Sequence, residues 1–262
     1  MRLLVLVVLL FLPGPASAAA WMQKQGTWQV ITSAIFTDAR HSFGDGGRAG
    51  SSTLFQRGLL QTDTQYGLDD RLTLFLRTET ANVHVHDISA RIGTVSSAFE
   101  GGVRYHLGDD VLTGYDVASV EVMGRTAGAF NFSVSANDQA GGEAGGVRLL
   151  YGAPFRVGER DGFLNAELGW RWQSRPRPDE TVLDLTAGVW LNPVTMVMLQ
   201  NFNVISGDAM QPYVRYRSHK LQASCVWRWS KRLSLQAGGY FSPAGANALQ
   251  ESGLILSLWT NF

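Results

Sequence analysis

The residues of this chain that could do chemistry are five histidines, one cysteine and a set of charges placed in mid-strand. His84 and His86 stand two apart and Asp87 follows. In an extended strand that spacing puts both imidazoles on one face, as a metal would require. No clear third ligand accompanies them, so a solvated strand end competes with a metal site, and no metal is assigned. His41 precedes Ser42, and His219 lies close to Ser218 and Ser224. A serine nucleophile needs a histidine base within hydrogen-bond reach and a third group that orients it. Adjacent strand residues face opposite ways, so Ser218 does not pair readily with His219, and no catalytic residue is assigned. The polar stretch from Asp38 to Asp45 lacks the ligand positions of a calcium loop. The glycine-rich run Gly141-Gly142-Glu143-Ala144-Gly145-Gly146 leads into a strand without a helix behind it. Phosphate binding does not follow from it, and no cofactor is assigned.

The charges carry more information. Arg57, Asp63, Arg77, Glu79, Glu100, Arg104, Glu121, Arg148, Glu167, Arg171, Asp184 and Arg228 all fall on the polar parity of strand-like segments. His106, Arg125 and Lys220 share that parity. They are the candidate lining of an enclosed lumen. One reading is a polar channel wall. The other is a network of ion pairs that fills a narrow barrel, since buried charges need partners. On the second reading Arg77 and Glu79 of one strand hold Glu100 and Arg104 of the next.

Twelve segments alternate apolar and polar residues with the strand period. They lie near residues 26–37, 53–67, 72–84, 96–107, 111–125, 143–152, 162–173, 181–191, 194–204, 213–229, 233–242 and 251–262. Tight turns are expected at Leu68-Asp69-Asp70-Arg71, Gly108-Asp109-Asp110, Asn192-Pro193 and Ser230-Lys231-Arg232. Other connections are longer, such as Asp38 to Ser52 and Gly128 to Gly142. Short and long therefore alternate, except that residues 153–161 read as a long turn where a short one is due. Membrane barrels show this alternation.

The strand faces separate cleanly. Leu164, Ala166, Leu168, Trp170 and Trp172 oppose Asn165, Glu167, Gly169, Arg171 and Gln173. Residues 196–202 alone give no clear face. Trp28, Tyr66, Tyr105, Tyr151, Trp229 and Phe262 cluster at one end of the apolar faces, as an aromatic girdle would. A soluble sandwich shares the alternation but gives no reason for that clustering.

Composition narrows the class. The 262 residues include 22 basic and 22 acidic ones, which excludes a strongly basic nucleic-acid binder. No later window has the length of apolar sequence that a membrane helix needs. Met1 and Arg2, the apolar run Leu3–Leu12 and Ala16-Ser17-Ala18 form a secretory signal, with cleavage expected after Ala18. Residues 19–262 are then one domain, an all-β antiparallel transmembrane barrel of about twelve strands. Cys225 is the only cysteine, so no disulfide within the chain is possible.

A signal, alternating strands and a last strand ending Leu258-Trp259-Thr260-Asn261-Phe262 resemble Gram-negative outer-membrane β-barrels. The stretch Gln65-Tyr66-Gly67-Leu68-Asp69-Asp70-Arg71-Leu72-Thr73-Leu74 is similar to a turn of porin-like transporters, including the meta-pathway phenol-degradation barrels. The resemblance implies residence in outer-membrane lipid and recognition by the barrel-assembly machinery through the strand ending at Phe262. An even strand number puts both termini on the periplasmic side. The expected function is porin-like passage of small polar or amphipathic solutes. The alternatives are an accessory barrel without an open pore, for example in surface-polysaccharide secretion, and a membrane-embedded lipid hydrolase.

Overall fold

The computed structural model describes residues 20–87, 90–112, 114–126 and 143–262. The leader expected at residues 1–18, and the connection at residues 128–142, lie outside the described residues. Twelve strands follow one another: β1 Trp28–Phe43, β2 Ala49–Asp69, β3 Leu72–Asp87, β4 Ala90–Asp109, β5 Val117–Arg125, β6 Ala144–Val157, β7 Arg160–Gln173, β8 Glu180–Asn192, β9 Thr195–Ser206, β10 Arg217–Arg228, β11 Leu233–Ala246 and β12 Ala248–Asn261. Each pairs antiparallel with its predecessor, and β12 returns to β1 to close the barrel. Trp28 donates its N–H to the Phe262 carbonyl at 3.2 Å and accepts the Phe262 N–H at 2.9 Å. Closure leaves no free edge along the height that all twelve strands share, so backbone groups there are satisfied without water.

Because side chains alternate, each strand divides between wall and lumen. Leu168, Trp170, Leu254 and Leu256 are exposed on the outer wall, whereas Asn165, Arg171, Glu251 and Ser257 are buried inside. At the end where β1 starts and β12 finishes, the Trp28 and Tyr66 rings lie 4.4 Å apart and Trp227 meets Trp229 at 5.1 Å. Tyr105 and Phe262 are exposed at the same end.

Pairing assigns the strand whose faces the sequence leaves open. Gln200 lies opposite both Thr186 and Gln222. That register turns Met198, Gln200, Phe202 and Val204 inward and leaves Asn201 and Asn203 on the outer wall. There Asn203 donates to the Leu183 carbonyl at 2.7 Å, and its oxygen meets His219 Nδ1 at 2.7 Å.

Three local expectations change. Residues 153–161 are not a long turn: β6 runs on to Val157, and Gly158, at φ 63°, turns the chain directly into β7. Ladder pairing continues through Pro154 opposite Phe163, so the short–long alternation has no exception here. Conversely, Gly108–Asp110 is not a tight turn. The ladder ends at Asp109 opposite Val117, so the connection is longer than a tight turn. Asp116 closes it, accepting the Leu112 N–H on its carboxylate at 2.8 Å and the Asp110 N–H on its carbonyl at 2.8 Å.

The third change bears on function. β1 to β4 are 16–21 residues long and project past the expected strand ends. Toward the loop end of these strands, partly within the expected spans, parity persists but polarity inverts. Ala39, Phe55, Val83 and Val85 are buried inside, while Arg40, Gln56, Asn82 and His84 are exposed outside. This is how a β-structure standing in water packs.

Candidate functional site in the barrel lumen

The middle of the lumen holds a cavity of about 410 Å³. Its wall has two unlike halves. From β2 to β7 it is ionic. Arg77, Glu100 and Arg125 stand directly opposite one another on β3, β4 and β5, because the register places them there. Arg77 donates to Asp63 at 2.9 Å and to Glu100 at 2.6 Å. Arg125 donates to Glu100 at 3.3 Å and to Glu79 at 2.7 Å. The result is a chain Asp63–Arg77–Glu100–Arg125–Glu79. Below it Arg104 donates to Glu121 at 2.9 Å and to Gln65 at 3.2 Å. Farther round, Arg148 donates to Glu167 at 3.4 Å, and Arg171 donates to the fully buried Glu180 at 2.5 Å. Tyr216 also donates its hydroxyl to Glu180. Asp184 accepts the Asn203 N–H at 3.4 Å.

From β8 through β12 to β1 the wall is mostly neutral. Gln222 donates to Gln200 at 2.7 Å, Gln236 to Ser224 at 2.9 Å, and the Trp259 indole to Gln236 at 3.0 Å. Ser33 and Ser257 share a hydrogen bond of 2.8 Å. Phe163, Met198, Phe202 and Ile255 face the same cavity. Amides and hydroxyls satisfy one another without a charge to neutralise.

Apolar packing narrows the lumen beyond either end of the cavity. At the loop end Ile35, Ala39, Phe55, Leu59, Val83 and Leu249 form one buried cluster inside the barrel. Beside it Lys220 donates to Glu251 at 2.7 Å, and Arg57 donates to Thr37 at 3.1 Å while lying 3.8 Å from Glu251. At the terminal end the segment preceding β1 enters the lumen. The Ala20 N–H donates to Asn165 at 3.0 Å, and the Ser119 hydroxyl donates to the Ala20 carbonyl at 2.8 Å. Trp21 meets Phe163 edge-on at 6.2 Å and packs against the cluster of Met196, Met198 and Val226. Two glycines permit this approach. A Cβ at Gly67 would stand 2.1 Å from the Lys24 carbonyl oxygen, and one at Gly152 would stand 2.6 Å from the Trp21 ring.

Nine of the twelve residues expected on the wall line this cavity: Asp63, Arg77, Glu79, Arg104, Glu121, Arg148, Glu167, Arg171 and Asp184. Arg125 and Lys220 line it as well. The other three keep the inward parity but lie away from this cavity. Glu100 is buried behind Arg77 and Arg125, Arg57 belongs to the loop-end cluster, and Arg228 lies over the Trp190 ring at 4.1 Å near the terminal end. The expected hold of Glu79 on Arg104 fails: Arg104 is opposite Glu121, and Glu79 takes Arg125. Glu100 holds Arg77 and takes a second cation from β5. His106 meets Asp109 at 3.3 Å instead of joining the wall. The amide half was missed, because Gln200 acquires a face only through pairing with Gln222. Gln222 itself stands on the polar parity of its segment.

Ser218 and Ser224 are buried on the inner face, whereas His219 is on the outer one. His84 is exposed outward. No group of three metal-ligating side chains occurs among the described residues.

No family model matches the chain, and no curated protein matches it. Solved structures do. The COG4313 outer membrane channel from Pseudomonas putida F1 superposes with a TM-score of 0.69 at 14% identity, over 94% of this chain and 99% of that one. The fold is that of an outer-membrane β-barrel. The NanC porin shares it at a TM-score of 0.54 and 7% identity, covering 88% of this chain and 98% of its own. So does the translocator domain of the autotransporter NalP from Neisseria meningitidis, at 0.55 and 11%, over 91% of this chain and 90% of that one. At these identities the likeness is one of fold, shared by outer-membrane barrels that include channels and a translocator.

Proposed function

We propose that the chain is an outer-membrane channel for small polar or amphipathic solutes, and that residues 20–25 limit the flow. The observation that carries this reading is the two-sided cavity, ionic on one wall and amide-lined with aromatics on the other. An amphipathic solute meets a complementary surface on each side. The Nε–H groups of Arg104 and Arg148 are buried without a hydrogen-bond partner among the described residues, and both arginines line the cavity. Buried donors of that kind favour a polar guest. The same reading has the leader removed after Ala18, the barrel inserted in outer-membrane lipid through the strand ending at Phe262, and no nucleic-acid partner.

The apolar cluster at the loop end favours a second reading, an accessory barrel without an open pore. Liposome swelling in L-arabinose separates the two. A variant lacking residues 20–25 is expected to swell its vesicles several-fold faster than the full chain. If the variant and the full chain both match empty vesicles, the channel reading fails and the accessory one stands.

A further inference from the structure

One carboxylate of the cavity wall lacks the partner that all the others have. Asp63, Glu79, Glu121 and Glu167 each have an arginine within 3.4 Å. The last two cations on the wall, Arg171 and Lys220, are held by Glu180 and Glu251. Asp184 lines the same cavity, and among the described residues no cation lies within 4.0 Å of it. Its carboxylate accepts only the Asn203 N–H, at 3.4 Å. Register explains the shortage. Asp184 stands opposite Glu167 on β7 and opposite Phe202 on β9, so neither adjoining strand sets a cation across from it. A charge enclosed without a partner is costly.

A neutral group nearby makes the same demand. Gln222 is 8% exposed, lines the cavity and gives its amide N–H to Gln200 at 2.7 Å. Its carbonyl oxygen accepts no hydrogen bond among the described residues. Gln222 is opposite Gln200, and Gln200 is opposite Thr186, two residues from Asp184. The carboxylate on β8 and the carbonyl on β10 are thus one row apart with β9 between them. Phe163, Met198 and Phe202 line the cavity beside them.

We propose that this part of the cavity recognises a primary ammonium carried on a short apolar chain. The ammonium donates to Asp184 and to the Gln222 carbonyl, and the apolar chain lies along Met198 and Phe202. An ammonium has three donors and no acceptor, which matches one unpaired anion and one unpaired acceptor. A metal ion finds a single free carboxylate here, and no group of three metal-ligating side chains occurs among the described residues. The volume of about 410 Å³ suits a small organic guest. The inference rests on the reading that the cavity takes small amphipathic solutes, and it names the class among them.

The test is isothermal titration calorimetry of the detergent-solubilised full chain in potassium chloride at neutral pH, with n-pentylamine, 1-pentanol and pentanoate. The three probes share one chain and differ only in the head. Pentylamine is expected to bind saturably at one site. Pentanol should bind about tenfold more weakly, the usual margin of a charged over a neutral hydrogen bond, and pentanoate should not bind. Asp184→Asn should bring pentylamine down to the level of pentanol and leave pentanol unchanged. That variant strands no cation, so without a probe its unfolding temperature should equal or exceed that of the native chain. Asp63→Asn removes a carboxylate already held by Arg77 and should keep the preference for the amine. No saturable amine binding, or equal binding of pentylamine and pentanol by the native chain, overturns the site; in the second case a proton neutralises Asp184. An amine preference that survives Asp184→Asn, or that Asp63→Asn removes as fully, overturns the assignment to Asp184. Swelling of vesicles in L-arabinose reports passage separately: a barrel that binds the amine and passes nothing keeps the site and loses the channel.

Discussion

The two halves of the lumen wall are built on the same inward parity and are buried to a similar depth, yet they are held by different physics. On β2 to β7 three carboxylates and two guanidiniums alternate in one chain, Asp63–Arg77–Glu100–Arg125–Glu79. On β9 to β12 and β1 amides and hydroxyls bond one another as neutral pairs. A charge taken out of water is costly unless partners surround it, so each member of the ionic chain depends on its neighbours. A neutral amide loses far less when its partner goes. The ionic half is therefore a coupled unit, and the amide half is a set of separable contacts.

The sharpest way to break this contrast is Arg125→Gln. It leaves Glu79 and Glu100 facing Arg77 alone, with three carboxylates against one cation. We expect a loss of about 3–5 kcal/mol, the cost of leaving buried charge unpaired. Denaturant unfolding in lipid vesicles, followed by tryptophan fluorescence, measures it.

Glu100→Gln should cost less, about 2 kcal/mol, in the same titration. Arg77 keeps Asp63 and Arg125 keeps Glu79, so hydrogen bonds are lost but no charge is stranded. A larger loss than that of Arg125→Gln would mean that Glu100, and not the charge balance, organises the wall.

Gln222→Ala in the amide half should cost about 1 kcal/mol, the usual worth of a neutral hydrogen bond. A value equal to that of Arg125→Gln would erase the distinction between the halves.

Much of this architecture was readable before any pairing was known. Period-two alternation depends only on local backbone geometry, so Leu164 to Trp172 and Leu254 to Phe262 disclose their outward faces directly. Mid-strand charges on the opposite parity disclose a polar interior. Pro154 misled, because a proline inside a strand pattern reads as a break, whereas here the ladder continues past it. Asp109 and Asp110 misled in the other direction: their types suit a tight turn, but Asp116 closes a wider loop around its own carboxylate.

What the sequence determined by itself was the class of fold, the division of each strand into two faces, and the charged composition of one face. Those follow from spacing along the chain. The tertiary structure decided which charge meets which, because partners in a sheet are chosen by register and lie on other strands. It gave Arg104 to Glu121 and Glu79 to Arg125, and it gave residues 196–202 an inner face through Gln222. It also brought Ala20 and Trp21 into the lumen and filled the loop end with Phe55, Val83 and Leu249. Parity places a side chain on one face of its strand. What fills the space beyond that face depends on the strands across the barrel, and only closure brings those together.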